Sequence, residues 1–257
     1  MSEDQPVRFV IFAAPRTGSN LLCGLLNAHP DILCHHGLFN PGGVHWARDR
    51  PGSGDMAERD RDPVAFLDTV WASGGDARAI GFKMNRDETV AAANALLRDP
   101  GVLKILLKRR NRVRTYVSEE IARRTGVWET YDEPAETEIP ALRVEAGDLI
   151  RHSDLNAGYY AAIESSLNET GQAWLETDYE ALADRGEMER ILAFLGVEAS
   201  SALPAASYKR GPAHLGAVVE NFDELADALE GTALLDDLYR GDAPELHCHL
   251  FTPQEQH

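Results

Sequence analysis

From Val7 to Ala14 the chain is almost continuously apolar and rich in β-formers, and it stops at Pro15, the pattern of a strand buried on both faces. From Gly18 the leucines at 21, 22, 25 and 26 switch the period to that of a helix, which ends near His29-Pro30. Residues 31–63 lose both periods: "HHGLFNPGG" and "ARDRPGSGDMAERDRDP" are rich in Gly, Pro and charge and read as loop. Periodicity returns in a helix over 63–72, a strand over 79–84 (AIGFKM) and a helix from Glu88 with Val90, Ala93, Leu96 and Leu97 on one face. A strand follows at 102–108 (VLKILLK), then a helix capped by Asn111 and running to about Val127. The acidic "ETYDEPAETEIP" breaks the pattern. Beyond it lies a long helix from Asp148 to about Thr170, with an expected inner stripe of Leu155, Tyr159, Ala162, Ile163 and Leu167. The strand "QAWLET" and the amphipathic helix "MERILAFLGV", ending at Gly196, complete the pattern.

Strands that alternate with helices imply an α/β fold of three layers, αβα, with a mostly parallel central sheet. One domain over 1–257 is expected, with mobile loops at 40–62 and 129–146. Ligands in such sheets bind at the carboxyl ends of the strands, where residues 15–20, 83–86, 108–112 and 176–179 fall.

Composition narrows the function. A formal charge of −17 excludes a general nucleic-acid binder, which needs Lys and Arg to displace counterions. No run approaches the roughly 20 apolar residues of a membrane helix, and the first residues carry no signal-peptide pattern, so a cytoplasmic protein is expected. Cys23, Cys34 and Cys248 have no metal-like or redox spacing and read as buried small hydrophobes. The "HCH" at 247–249 lacks the further ligands of a metal site. Against the acidic background, Lys104, Lys108, Arg109, Arg110, Arg112, Arg114, Arg123 and Arg124 crowd into 104–124, a concentration that suits either an anionic ligand or a solvated helix face.

The turn "PRTGSN" puts the backbone amides of Thr17 to Asn20 at a helix start, where N–H groups lack intrahelical partners and the dipole favours an anion. Gly18 allows close approach, Thr17, Ser19 and Asn20 add side-chain donors, and Arg16 adds a charge. The turn is not a nucleoside-triphosphate P-loop, because position 13 is Ala and Ser19 stands where the lysine belongs. In "LLKRRNRVRTYVS" Arg110 closes a strand and Ser118 lies about two helical turns further, so both can reach one phosphate.

These elements resemble the two phosphosulfate-binding motifs of sulfotransferases that use 3′-phosphoadenosine 5′-phosphosulfate (PAPS). "PRTGSNLLCGLLNAHPDILCHH", "IGFKM", "RRNRVRTYVSEEIARRTGVW", "WLETDYEAL" and "ILAFLGV" are similar, in order, to landmarks of the bacterial carbohydrate-type branch, which includes trehalose and nodulation-factor sulfotransferases. The resemblance implies a P-loop-like sulfotransferase fold, PAPS as co-substrate, no metal, and in-line transfer to a hydroxyl. It implies that Arg16, Thr17, Gly18, Ser19 and Asn20 hold the 5′-phosphosulfate and that Arg110 and Ser118 hold the 3′-phosphate. Arg16 stands where many members carry a lysine at the leaving oxygen; Lys209 and Arg210, in "YKRGPAHL", match a late loop that returns to the nucleotide. Trp128 is a candidate to stack on adenine.

The branch carries its basic carboxylate shortly after the HP dipeptide, where this chain has Gly37 or Leu38. His36 and His35 flank the gap, and a histidine suits proton abstraction near neutrality; one of the two can face the reaction, with His36 favoured. Lys83 ends a strand where it could touch the transferring group or the acceptor. Glu129, Asp132, Glu133, Glu136 and Glu138 disfavour a polyanionic acceptor and point to a neutral or cationic small molecule or saccharide. The alternatives are a sulfotransferase-like nucleotide binder without catalysis and a small-molecule kinase; dimerisation is left open.

Overall fold

Five apolar stretches pair as parallel strands, β1 (Val7–Ala13), β2 (Ile32–Gly37), β3 (Ala79–Asn85), β4 (Val102–Lys108) and β5 (Trp174–Asp178), in the order β2-β3-β1-β4-β5. The computed structural model describes residues 5–47, 52–128, 140–198, 206–208, 214–241 and 246–248. The helices are α1 (Ser19–Asn27), α2 (Met56–Arg61), α3 (Phe66–Ala72), α4 (Val90–Arg98), α5 (Arg112–Thr125), α6 (Ala146–Glu169), α7 (Arg185–Phe194), α8 (Phe222–Ala228) and α9 (Ala233–Tyr239). A short antiparallel pair, β6 (Ala206–Tyr208) and β7 (Leu246–Cys248), stands apart from the sheet.

The central strands β1, β3 and β4 are apolar at most positions because helices cover both faces. Phe9, Ile11 and Ala13 pack with Leu22 and Leu26 of α1 and Ile191 and Leu192 of α7. Val10, Phe12 and Phe82 pack on the other face with Val70 of α3, Leu96 of α4 and Ile163 and Leu167 of α6. A separate cluster joins Val113 and Val117 of α5 to Leu225 of α8 and Leu238 of α9. The expected three-layer αβα architecture is therefore present.

Connectivity places the crevice. β1 and β3 are neighbours, yet β1 leads into α1 on one face and β3 leads into α4 on the other. The loops after these strands diverge at their carboxyl ends, which is where open α/β sheets bind ligands.

Three expectations are corrected. The segment after His29-Pro30 is not all loop: Ile32–Gly37 is β2, with all six residues buried. Its histidines hide the strand pattern, and hydrogen bonding lets them be buried. Within 40–62 lies α2, whose Arg59 is 4% exposed and donates through Nη1 to the carbonyls of Leu38, Asn40 and Gly43 at 3.1, 2.6 and 3.1 Å. The inner stripe of α6 is Leu149, Ser153, Tyr160, Ile163 and Leu167, while Leu155 and Ala162 face outward. The acidic residues 129–138 lie outside the described residues.

Tyr160 fixes the rotation of α6. Its hydroxyl accepts from the Ala14 amide at 2.8 Å and donates to the Leu107 carbonyl at 2.6 Å, bridging the ends of β1 and β4. Tyr160→Phe leaves two buried backbone groups unsatisfied and is expected to cost about 2 kcal/mol, read as a fall in Tm of roughly 4–8 °C by calorimetry. An unchanged Tm would show that water replaces the hydroxyl.

Candidate functional site

The turn after β1 is held open by unusual backbone. Arg16 takes a left-handed φ of 63° and Gly18 a φ of 93°, so the chain reverses tightly before α1 begins at Ser19. Gly18 occupies the N-cap position and supplies no side chain, leaving the amides of the first turn of α1 without a side-chain cap. A side-chain carbon at Gly18 would stand 2.5 Å from Cδ2 of Tyr179, so only glycine fits. Thr17 is buried and donates its hydroxyl to the Ala14 carbonyl at 2.7 Å, making it a brace for the turn.

Other elements converge on this turn. Arg16 Nε donates to Ser118 Oγ on α5 at 2.9 Å, and Arg16 Nη1 donates to the carbonyl of Trp128 just beyond α5. Arg109, after β4, donates to the Arg16 carbonyl at 3.3 Å and lies 4.6 Å over the ring of Tyr179, which follows β5. The result is a cradle of helix amides rimmed by two arginines and a serine. Asn20 adds a buried Oδ1 without a hydrogen-bond partner among the described residues. The helix amides, the two guanidiniums and the Ser118 hydroxyl supply donors that, with the glycine-only approach, fit a phosphate or sulfate group.

Sequence reasoning named Arg16, Thr17, Gly18, Ser19, Asn20 and Ser118, and the structure brings all six to one place. It missed Arg109 and Tyr179 as rim residues; their signal was position, each immediately after a sheet strand. Arg110 points along the sheet edge instead: its Nε donates to Asp178 at 2.8 Å and its amide to Glu180 at 3.1 Å. Ser118 is instead held by Arg16. Lys209 and Arg210 lie outside the described residues, as do the side chains around Cys248.

The basic concentration at 104–124 proves to be largely matched from within. Lys104 is fully buried and donates to the Asp99 carbonyl at 2.6 Å and to Gln172; Lys108 pairs with Glu164 and Glu176, each at 2.7 Å. Arg112 pairs with Asp237 at 2.6 Å and Arg123 with Glu119 at 2.9 Å. Among the described residues, Arg16 and Arg109 stand at the cradle itself.

The two histidines of β2 face opposite ways. His35 has Nε2 bonded to Ser73 Oγ at 2.9 Å, Nδ1 accepting from the Ala47 amide at 3.1 Å, and its ring edge-on to Trp46 at 4.8 Å. Both of its ring nitrogens are engaged on the α3 side. His36 lies on the α1 side with Cys23, near Cys34 and Lys83. Burial pushes the Cys23 thiol up, but hydrogen bonds with Cys34 and His36 and the charges of His36 and Lys83 outweigh it and bring it down to about 6. Burial and the adjacent Cys23 push Cys34 up. Among the described residues no group of three or more metal-ligating side chains occurs, and no helix is long and apolar enough to cross a membrane.

Fold and cradle together define an αβα protein whose first helix starts in a cradle suited to an oxyanion. Over 228 residues, 86% of this chain and 88% of the relative, the sequence is 27% identical to nodulation protein H of Rhizobium tropici. It is 32% identical over 128 residues to nodulation protein H of Rhizobium meliloti (strain 1021), covering 48% of this chain and 50% of that one. Among solved structures, a sulfotransferase from Alicyclobacillus acidocaldarius aligns over 93% of this chain and 97% of its own at 19% identity and a TM-score of 0.46. Mouse sulfotransferase SULT7A1 complexed with PAP aligns over 93% and 75% at 14% identity and a TM-score of 0.43. No family model matches the chain. Over most of its length the chain is thus similar to nodulation protein H.

Proposed function

We propose that the protein is a sulfotransferase that acts as one domain in the cytoplasm and moves the sulfuryl group of PAPS to a hydroxyl of a neutral or cationic small molecule or saccharide. The observation that carries the reading is Arg16, held at the mouth of a glycine-only helix-start cradle and braced by Ser118. PAPS, as donor substrate, supplies an activated sulfuryl group on a phosphate leaving group. The amides of residues 17–20 and the Arg16 and Arg109 guanidiniums stabilise the negative charge that grows on the leaving oxygen, which is the main demand of in-line group transfer.

Ser118 orients Arg16, and Arg110 at the exposed edge is the candidate for the 3′-phosphate, exchanging Asp178 for the incoming anion. Lys83, 3% exposed at the carboxyl end of β3, is the candidate contact for the transferring group. Of the two histidines of β2, His35, with both ring nitrogens engaged, is assigned a packing role, and His36 is buried beside Cys23 on the α1 side.

Transfer of labelled sulfate from PAPS tests the reading, with a neutral disaccharide, an amino alcohol and a sulfated glycan as acceptors and ATP with Mg²⁺ as the competing donor. The expected result is Mg²⁺-independent transfer to one of the first two. Phosphoryl transfer from ATP, or preference for the glycan, would overturn it.

A further inference from the structure

The β3–α4 loop crosses the crevice beside the cradle: the Arg86 amide bonds the Ala13 carbonyl at 2.9 Å, and Glu88 follows two residues later. A side-chain carbon added to Gly37 would stand 3.7 Å from Cε of Lys83 and 3.8 Å from Oε1 of Glu88. The carboxylate that β2 lacks at position 37 is thus provided in the same space from the neighbouring strand's loop. Glu88 Oε1 accepts from Asn85 Nδ2 at 3.2 Å; Oε2 is buried and has no hydrogen-bond partner among the described residues. Glu88 also lines a cavity of about 340 Å³ together with Phe39, Pro41, Arg59, Pro63 and Thr89, room for a sugar-sized acceptor. His36 is not among its walls.

Resting on the sulfotransferase reading above, we propose that Glu88 is the general base of the reaction and that the cavity it lines receives the acceptor hydroxyl. The acceptor's proton passes to Glu88 Oε2 as its oxygen bonds sulfur. The sulfur–oxygen bond to the 5′-phosphate breaks with its electron pair left on the phosphate, and Glu88 then returns the proton to water. Lys83 lies beside the carboxylate, where its charge favours the ionised form that takes the proton.

The surroundings tune the carboxyl for this task. Burial pushes Glu88 up to about 7, while the charges of Lys83 on β3 and Arg59 on α2 and hydrogen bonding with Asn85 pull the other way. From α6, Tyr159 faces Glu88 with a hydroxyl whose pKa burial pushes up; Asp60 and Asp87 stand on the cavity wall. A base must be deprotonated, so transfer is expected to fall as pH drops through about 7.

The test compares wild type, Glu88→Gln, Glu88→Asp and His36→Ala in sulfate transfer from labelled PAPS to trehalose and to water, with PAP-induced thermal stabilisation as the binding control. Glu88→Gln is expected to lower turnover about 100-fold and remove the acid limb, with Glu88→Asp recovering part of it, the PAP-induced shift intact and His36→Ala retaining the limb. Without any acceptor, the Tm of Glu88→Gln relative to wild type should rise from about pH 5 to about pH 8, because a raised carboxyl pKa destabilises the folded state as the group ionises. Turnover of Glu88→Gln within about 3-fold of wild type, an acid limb lost in His36→Ala instead, or a Tm difference flat with pH would each overturn the proposal. A wild-type protein that neither gains stability from PAP nor releases sulfate would overturn the sulfotransferase reading beneath it.

Discussion

Replacing Arg16 by glycine is expected to abolish most sulfuryl transfer, by about 10²- to 10³-fold, while leaving the Tm nearly unchanged. The activity loss follows from removing a fixed cation at the point where leaving-group charge develops. The stability result follows from two opposing changes. Arg16 sits at φ 63°, a conformation that costs a residue with a Cβ about 1–2 kcal/mol and glycine almost nothing. Against that relief stands the loss of its bonds to Ser118 and the Trp128 carbonyl, about 1 kcal/mol each at a partly exposed position. Arg16→Ala removes the same bonds without the relief, so it should melt lower than Arg16→Gly at equal activity. Steady-state transfer and calorimetry on the two variants check this. If Arg16→Gly keeps activity within about 3-fold, another group carries the charge.

That a strained arginine, not glycine, occupies the turn is itself informative, since backbone strain persists where the side chain is needed. The sequence reading reached Arg16 through the Pro-Arg-Thr-Gly order at the end of an apolar run. A strand that feeds a helix through a short polar turn is a local signal, and local signals survived into the structure: β1, β3, β4, α5 with its Asn111 cap, and α7.

What was not legible depended on partners distant in sequence. Lys108 and Arg112 read as a positive patch because their acids, Glu164, Glu176 and Asp237, come from α6, β5 and α9. β2 was hidden because His35 looks polar in sequence, whereas Ser73 and the Ala47 amide satisfy it in the fold. Glu88 escaped for the same reason. The gap at Gly37 could be seen along the chain, but its filling from β3 requires knowing that Gly37 pairs with Lys83 across the sheet.

Gly18→Ala is expected to damage both the fold and the cradle. The φ of 93° costs an alanine about 1–2 kcal/mol, and its Cβ would meet the Tyr179 ring at 2.5 Å, an overlap worth a further 1–3 kcal/mol or so. Tyr179 cannot move alone, because Arg109 lies over its ring and reaches back to the Arg16 carbonyl. The displacement therefore passes into the turn that it would vacate. A total of about 2–5 kcal/mol predicts a Tm lowered by roughly 5–15 °C, together with loss of the stabilisation that PAP is expected to give. Gly18→Ala combined with Tyr179→Ala separates the two costs. Opening space should return the collision part and leave the backbone part, giving a coupling of about 1 kcal/mol or more between the sites. A single Gly18→Ala variant that melts within about 2 °C of wild type and still gains stability from PAP would mean that the ring yields freely. The close approach of Tyr179 would then not be what reserves this position for glycine.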